Sequence, residues 1–266
     1  MKIKTIGMSF LFLFSSAIYG QQTPREEVEF NKIHNSTVLF TFGQSNSANY
    51  GQSRYLYTAK HNVYNYHNGK LYKAQDPLLG ATGNGASVWG ILGDKMIEKK
   101  MTDAVTIVPI GIGGVDIASW CKGGACYNTL IKTLDELKAA NVKIDFICWH
   151  QGETDNIQNT PTDTYIQRFL SIREVFRSRG IEAPFIVAIA SYHTWCLDED
   201  YGKSDDIRNA QKQLAKQYKD IFRGPDTDKL DKLYQRADGI HFSYLGQRQH
   251  ADMWVKAIKK ASKYHH

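Results

Sequence analysis

Cysteine is scarce in this sequence, with four residues among 266, and none of them forms a CxxC pair. The nine histidines form no ligand-like cluster either, which argues against a zinc site. The zinc-protease motif HExxH is absent, and so are the phosphate-binding motifs GxGxxG, GxxxxGKS and GxxxxGKT. We therefore predict that the protein uses neither a metal ion nor an organic cofactor.

Long apolar runs are also absent beyond the first twenty residues, so no membrane span is expected. Those twenty residues resemble a signal peptide, because Lys2 and Lys4 precede an apolar run over 6–14 and Gly20 ends the segment with a small residue. The alternative interpretation is a buried N-terminal helix. We expect an exported protein, secreted or periplasmic, with one mature domain over residues 21–266.

The sequence also lacks clusters of charge of one sign. The formal net charge is +6, and loss of the leader with its two lysines leaves +4. The basic residues are scattered, without a long run or interleaved aromatics, which indicates a solvated surface and not nucleic-acid binding. A mild positive field favours an acidic glycan as partner. The oligomeric state is left open by the sequence.

Short continuous apolar runs lie at 38–42, 106–112, 145–149 and 184–190. Such runs are typical of strands covered on both faces. Helical patterns occupy 87–100, 128–140, 165–179, 208–218 and 245–261, whereas 194–204 and 224–237 are expected to be surface loops. The alternation predicts an α/β fold in which helices cover both faces of a parallel sheet.

The cysteines are compatible with a disulfide in an exported protein. Cys121 and Cys126 flank a glycine-rich stretch, so we predict that they pair. Cys148 lies in an apolar run and is expected to be a buried free thiol, and Cys196 has no obvious partner.

Polar and glycine-rich residues follow three of the four predicted strands, where open parallel sheets bind ligands. The first group is Gly-Gln-Ser-Asn-Ser at 43–47, which places Ser45 at a strand-to-helix turn. A serine there projects its hydroxyl above the sheet, as in a nucleophile elbow. An ordinary polar turn with a helix cap is the simpler alternative.

The second group includes Gly113 and Gly114, whose backbone N–H groups are candidate donors to an oxyanion. A phosphate site or a plain turn remains open at this point. The third group runs from Trp149 to Asp155, and its Gln151 side chain is another candidate oxyanion donor. His150 is interpreted as a supporting residue, not as a base.

The last group, at 238–243, places Asp238 three residues before His241. An aspartate at this spacing can accept a hydrogen bond from histidine Nδ1–H within one loop, which leaves Nε2 free to take a proton from a serine. Together the four groups supply a nucleophile, a base, an orienting acid and oxyanion donors.

These blocks resemble those of the SGNH (GDSL-type) hydrolases, and within them carbohydrate esterase family 6, which includes sialate O-acetylesterases and acetylxylan esterases. The matching segments are Gly-Gln-Ser-Asn at 43–46, Gly-Gly-Val-Asp-Ile-Ala-Ser-Trp at 113–120, Trp-His-Gln-Gly-Glu at 149–153 with Asp155, and Asp-Gly-Ile-His-Phe at 238–242 with Gly246. They follow one another in the family's order.

The resemblance implies a three-layer α/β/α sandwich with a parallel, flavodoxin-like sheet. It implies Ser45 as nucleophile, His241 as base and Asp238 as the residue that orients it. It also implies an oxyanion hole made from the Ser45 N–H, a glycine N–H at 113 or 114, and Gln151. General SGNH enzymes have asparagine where this chain has glutamine, which favours the carbohydrate-esterase branch.

Two further expectations concern residues around this site. Glu153 belongs to the third block, and we expect it to hydrogen-bond the loop that carries Ser45. Asn46 in that loop is expected to be a supporting residue. Trp120, Trp195 and Tyr192 are candidate platforms for sugar rings, although large aromatic residues are more often part of the core.

The expected substrate is an acetylated glycan such as acetylated sialic acid or xylan. A lipase or arylesterase on the same fold, and a glycan-binding module without activity, are the alternatives.

Overall fold

The computed structural model of the chain describes residues 24–52, 56–194 and 202–263. The expected signal peptide, Trp195 and Cys196 lie outside the described residues. Eight strands form one sheet in the order β1-β4-β3-β5-β2-β6-β7-β8. The strands are β1 Glu27–Val28, β2 Thr37–Gly43, β3 Val63–His67, β4 Lys70–Lys73, β5 Val105–Pro109, β6 Phe146–His150, β7 Phe185–Ile189 and β8 Ile221–Asp226.

The sheet is parallel across its centre, because β3, β5, β2, β6, β7 and β8 all run in the same direction. Only β4 is antiparallel to its neighbours β3 and β1. Strands β3, β4 and β5, which follow β2 in the chain, lie on one side of it, and the later strands β6, β7 and β8 lie on the other side. The carboxyl end of β2 therefore lies at the point where the strand order reverses, which is the usual place for a ligand site.

Six α-helices cover the sheet: α1 Val88–Glu98, α2 Tyr127–Ala139, α3 Glu153–Ile157, α4 Thr162–Arg177, α5 Asp205–Gln217 and α6 Tyr244–Ser262. Serine side chains cap α1, α5 and α6 by accepting hydrogen bonds from backbone N–H groups of the first turn. No helix in the described ranges combines the length and the hydrophobicity needed to cross a bilayer.

Alternation along the strands produces two apolar layers, one on each face of the sheet. In β2, Phe40 and Phe42 pack with residues of α2, α4 and α5, whereas Leu39 packs with residues of α1 and α6. Successive side chains of a strand point to opposite faces, so one continuous apolar run serves both layers. The predicted three-layer α/β/α sandwich is confirmed, with one antiparallel strand added near its edge.

Two expectations about local structure are wrong. Residues 224–237 are not one surface loop, because β8 extends to Asp226, and Asp228 and Arg236 are both buried. The predicted pair of Cys121 and Cys126 is also wrong, since both thiols are free.

The reason for the free thiols is that the two side chains face different neighbours. Cys121 Sγ lies 3.7 Å from the Arg168 carbonyl oxygen of α4, and Cys126 is buried in the core layer. Cys148 is a buried free thiol, as predicted.

Candidate active site

The turn that carries Ser45 begins where β2 ends beside β6. Gly43 has a φ of +131°, and a Cβ there would lie 2.0 Å from the His150 carbonyl oxygen. Only glycine permits this approach between the two strand ends. The Gln44 N–H then donates to the same carbonyl at 3.0 Å, and residues Ser45–Ser47 form one 3-10 turn. Within the described chain, the Ser45 N–H donates to no protein acceptor.

The Gln44 side chain ties this turn to the segment after β6. Its Oε1 accepts hydrogen bonds from the Gly152 N–H at 3.2 Å, the Thr154 N–H at 3.1 Å and Gln151 Nε2 at 3.2 Å. The Gln44 amide therefore fixes the first turn of α3 against the turn that carries Ser45. No signal in the sequence separated this glutamine from its neighbours in the motif.

Gln151 is fully buried, and protein acceptors surround its amide nitrogen. Nε2 lies 2.5 Å from Asp155 Oδ2, 3.2 Å from Gln44 Oε1 and 3.3 Å from the Val115 carbonyl oxygen. An amide nitrogen has two hydrogens to donate. Both amide hydrogens of Gln151 are directed at protein acceptors, since Asp155 lies one helical turn away and Gln44 and the Val115 carbonyl oxygen are also within reach. The geometry gives Gln151 a bracing role instead of the expected donation to an oxyanion.

Glu153 makes the expected contact with the loop that carries Ser45. Its Oε1 accepts a hydrogen bond from Asn46 Nδ2 at 2.8 Å and lies 3.5 Å from His150 Nε2. Burial alone would raise the pKa of Glu153, but the interactions with His150 and Asn46 lower it to about 2. Glu153 is therefore a buried carboxylate, and His150 is a fully buried supporting residue.

In the glycine turn after β5, the N–H groups of Gly113 and Gly114 differ in whether a protein acceptor already uses them. The Gly113 N–H donates to Thr82 Oγ1 at 2.8 Å, so this donor is already used by the protein. Gly114 has a φ of +71°, and apart from its chain neighbours no atom of the described residues lies within 4 Å of where its Cβ would be. Its N–H has no acceptor among the described residues. Gly114 is thus the glycine whose N–H remains available to a ligand.

The expected contact between Asp238 and His241 is present on the loop between β8 and α6. His241 Nδ1 lies 2.7 Å from Asp238 Oδ2, and Asp238 Oδ1 accepts the backbone N–H groups of Ile240 at 2.9 Å and His241 at 2.6 Å. Partial burial by itself raises the pKa of Asp238, but these hydrogen bonds bring the pKa below its usual value. An ionised Asp238 therefore holds the imidazole through Nδ1, which leaves Nε2 free to act as a base.

Two contacts join the segment that begins with the turn of Ser45 to the loop of His241. Asn46 Nδ2 lies 3.4 Å from the Ile240 carbonyl oxygen, so the residue after Ser45 contacts the residue before His241. The Gln52 N–H also donates to the Phe242 carbonyl oxygen at 2.9 Å. The fold thus brings the turn of Ser45 and the loop of His241 together at the carboxyl edge of the sheet, although no hydrogen bond joins the Ser45 hydroxyl to His241 in the described chain.

Arg236 supports the histidine loop, and the sequence alone did not point to it. Its side chain is buried, and no carboxylate of the described residues lies within 4 Å of it. The guanidinium instead donates to the carbonyl oxygens of Leu230, Thr227 and Ile240, and it lies 4.3 Å from the centre of the Phe242 ring. Arg236 therefore crosslinks the loop that presents Asp238 and His241.

The aromatic candidates for sugar stacking have different positions. Trp120 is fully buried against Phe42 and Trp149, so its expected role as a sugar platform is wrong. Tyr192 is half-buried and packs on the Arg236 guanidinium at 4.9 Å. Trp195 lies outside the described residues.

The sequence matches a family profile over residues 35–260, and that family is described as SASA, the carbohydrate esterases and sialic acid-specific acetylesterases. The chain belongs to this esterase family. The match includes every strand from β2 to β8 and all four sequence blocks, so the family assignment covers the whole site. Among curated proteins, none matches the sequence significantly.

Several solved structures have a fold similar to that of this esterase. A protein from Arabidopsis thaliana is 17% identical with a TM-score of 0.64, and the alignment covers 86% of this chain and 98% of that one. A carbohydrate acetylesterase from Xanthomonas citri is 15% identical with a TM-score of 0.55, over 85% of this chain and 57% of that one. A protein described as a GDSL-like lipase from Parabacteroides merdae is 14% identical with a TM-score of 0.54, over 85% and 96%. The esterase therefore has the SGNH-type fold.

Proposed function

We propose that this chain is a serine esterase that removes O-acetyl groups from a carbohydrate, with Ser45 as nucleophile, His241 as base and Asp238 as its orienting acid. The observation that carries the proposal is the bond between His241 Nδ1 and Asp238 Oδ2 at 2.7 Å, on a loop that contacts the turn of Ser45. The proposed substrate is an acetylated glycan, and the family description makes acetylated sialic acid one candidate beside acetylated xylan.

The proposed reaction has two acyl-transfer steps. Ser45 Oγ attacks the acetyl carbonyl carbon while His241 Nε2 takes the hydroxyl proton, and the tetrahedral intermediate forms. The intermediate collapses, the bond to the sugar oxygen breaks, and His241 returns the proton to that oxygen. Water, deprotonated by His241, then attacks the acetyl-enzyme and releases acetate and the free serine.

Backbone N–H groups are the proposed donors to the oxyanion. The Ser45 and Gly114 N–H groups have no other acceptor in the described chain, whereas the Gly113 N–H and the Gln151 amide already have protein acceptors. Donors of this kind act on the charge that develops in the transition state. In this proposal Gln151 acts indirectly, by holding Gln44 and the turn of Ser45.

Substitution of the nucleophile tests the proposal. Ser45→Ala is expected to lower kcat for acetate release from 4-nitrophenyl acetate by about 10⁴-fold or more, because the acyl-enzyme can no longer form. Ser47→Ala is the matched control on the same turn, since the buried Ser47 hydroxyl has no hydrogen-bond partner among the described residues. We expect the control to stay within about threefold of wild type, because no bond is lost.

Several outcomes would overturn the assignment. Full activity in Ser45→Ala would show that Ser45 is not the nucleophile. A wild-type protein that binds acetylated glycans without releasing acetate would be a binding module. A panel of acetylated sialic acid, xylan, mannan and pectin identifies the glycan by acetate release. We also infer export from the N-terminal segment, which N-terminal sequencing of protein recovered outside the cytoplasm tests.

A further inference from the structure

The Tyr50 ring stacks on the imidazole of the proposed base. The centre of the ring is 5.5 Å from the centre of the His241 imidazole, and the two ring planes differ by only 26°. Near-parallel rings at this separation attract each other. Tyr50 lies five residues beyond Ser45 and outside the four sequence blocks that resemble the esterase family. One face of the imidazole is therefore covered by a residue to which those blocks assign no role.

Two glycines shape the slot that holds the Tyr50 ring. A Cβ on Gly113 would lie 2.4 Å from Tyr50 Cζ and from its hydroxyl oxygen, and a Cβ on Gly83 would lie 2.9 Å from Tyr50 Cδ2. Carbon atoms pack about 3.5 to 4 Å apart, so a side chain at either position would displace the ring. The ring is thus held between the loop of Gly83, the turn of Gly113 and the His241 imidazole.

The main chain beside Tyr50 is anchored as well. The Asn49 N–H donates to the Thr82 carbonyl oxygen at 2.9 Å, and the Asn49 carbonyl oxygen accepts the Gly85 N–H at 2.8 Å. Asn49 Nδ2 donates to the Leu78 carbonyl oxygen at 2.9 Å. These bonds tie the residue before Tyr50 to the 78–85 segment, so the ring has a fixed point of attachment.

The hydrogen bond to Asp238 fixes only part of the orientation of the imidazole. His241 Nδ1 lies 2.7 Å from Asp238 Oδ2, which positions one nitrogen of the ring. Within the described residues, His241 Nε2 has no hydrogen-bond partner. The imidazole can therefore tilt about its bond to Asp238, and a tilt would move Nε2 away from the hydroxyl that it has to deprotonate. A flat ring held against the face of the imidazole opposes this tilt.

The stack also affects the charge that His241 gains during the proposed reaction. Once it has taken the serine proton, the imidazole is a cation, and an aromatic face within about 6 Å attracts a cation. Other titratable and charged groups surround the histidine loop, namely Asp238, Arg236, His193 and Glu153. A substitution at position 50 leaves these four groups in place, so it isolates the contribution of the ring.

We propose that Tyr50 is a positioning residue of the esterase, whose ring sets the tilt of the His241 imidazole and stabilises the imidazolium that forms in each acyl-transfer step. This inference rests on the proposed serine mechanism. The face of the ring supplies both effects, and the hydroxyl supplies neither. An aromatic residue at position 50 is therefore sufficient, and an aliphatic one is not.

Kinetics of 4-nitrophenyl acetate hydrolysis test this proposal. Tyr50→Leu is expected to lower kcat by about tenfold to a hundredfold and to leave KM within about threefold, because the base is misplaced while the ester site remains. The acidic limb of the kcat/KM pH profile should move down by about half a pH unit, since the neutral base is the active form and the imidazolium loses its aromatic partner. Tyr50→Phe keeps the ring and should match wild type in both measurements.

A second pair of variants tests whether the slot holds the ring. Gly113→Ala should lower kcat in the wild-type background, because its Cβ would displace the Tyr50 ring. The same change should have little further effect in Tyr50→Leu, where the colliding atoms are gone. Such non-additivity is expected only for residues that act through one contact. If Tyr50→Leu does not fold, Tyr50→Met provides a second non-aromatic variant for all of these measurements.

Tyr72→Leu is the control, because it removes the same side chain from β4, outside the site, and should leave kcat and the pH profile unchanged. An unmoved acidic limb in folded Tyr50→Leu would overturn the proposal, since a merely structural role would not move it. Activity as low in Tyr50→Phe as in Tyr50→Leu would overturn it too, because the hydroxyl would then be the active group. Failure of the serine mechanism is distinguishable, because wild type would then release no acetate or Ser45→Ala would remain active.

Discussion

Glu153 is a buried carboxylate whose charge serves positioning, not chemistry. It holds Asn46, which in turn lies against the Ile240 carbonyl oxygen, so one side chain connects the turn of Ser45 with the loop of His241. Its pKa is lowered to about 2, below the usual value of about 4.3 for glutamate. A lowered pKa in the folded state means that the carboxylate stabilises the fold above pH ~4 and that this stabilisation is lost as the pH falls towards the lowered value.

Glu153→Gln is therefore expected to lower the free energy of unfolding by roughly 2 kcal/mol at pH 7, the size of a hydrogen bond to a charged group. The deficit should be constant above pH ~5 and should shrink below pH ~4, because Glu153 of the unfolded wild-type chain then takes up a proton while the folded carboxylate stays ionised. Urea unfolding at pH 3.5, 5, 7 and 9 measures this difference. Glu182→Gln is the control, since the Glu182 side chain is 76% exposed. A deficit of the same size at pH 3.5 and pH 7 would contradict an ionised role for Glu153.

At the residue scale, the sequence was informative where chemistry requires a particular residue type. Ser45 is predicted from its place after a strand, and Asp238 and His241 from their spacing; the contact between Asp238 and His241 is present in the structure. Arg236 was not predicted, because it binds backbone carbonyl oxygens, which any sequence supplies. Gln151 was expected to face a ligand, but contacts with Asp155 and Gln44 bury its amide. Such contacts depend on three-dimensional packing that the motif does not encode.

At the scale of elements, the start of α6 is coupled to the site. Ser243 caps this helix two residues after His241: its Oγ accepts the Gly246 N–H at 3.1 Å and donates to the Tyr234 carbonyl oxygen at 2.6 Å. The hydroxyl therefore joins the first turn of the helix to the segment before Arg236. Unfolding of this first turn would therefore also disturb the loop that carries His241.

Ser243→Ala is expected to lower the free energy of unfolding by about 1 kcal/mol, the usual loss when a serine N-cap is removed. Ser262→Ala at the other end of α6 is the control, because its hydroxyl only bonds carbonyl oxygens of the preceding turn. Urea midpoints of the two variants and wild type measure the effect. Equal losses of unfolding free energy in both variants would show that the Ser243 cap does not stabilise the fold more than the Ser262 hydroxyl does.

The strands that were predicted are those with unbroken apolar runs, namely β2, β5, β6 and β7. The hairpin of β3 and β4 was missed because Tyr64, Asn65, Tyr66 and His67 read as mixed polar sequence, although all but His67 are buried. β8 was missed because Arg223, Gly224 and Pro225 interrupt its pattern. Polar residues inside a strand break its apolar run, so such a strand has a weaker signal in the sequence whether or not it is buried.

At the scale of the whole molecule, the reactivity of the Cys126 and Cys148 thiols measures whether the core is folded. Burial raises the pKa of the Cys148 thiol, and it raises the pKa of Cys126 to about 11. Both thiols are therefore protonated and inaccessible at pH 8, and thiols react as thiolates. Their reaction requires opening of the fold.

We expect iodoacetamide at pH 8 to leave Cys126 and Cys148 unmodified in the native protein and to modify both in urea, as measured by peptide mass spectrometry. The same peptides should contain no disulfide between Cys121 and Cys126. Modification of Cys148 at equal rates with and without urea would contradict its burial in the central layer. A bridge between Cys121 and Cys126 would contradict the free thiols of the structure.

The two outer strands of the sheet have a consequence for how the protein behaves at high concentration. A long, flat border strand invites a second molecule to extend the sheet through backbone pairing. Here β1 has two residues, and β8 contains Pro225, which has no backbone N–H to donate, and the charged Arg223. Both borders therefore give an incoming strand little to bind, and the esterase is protected against aggregation through edge-to-edge sheet growth.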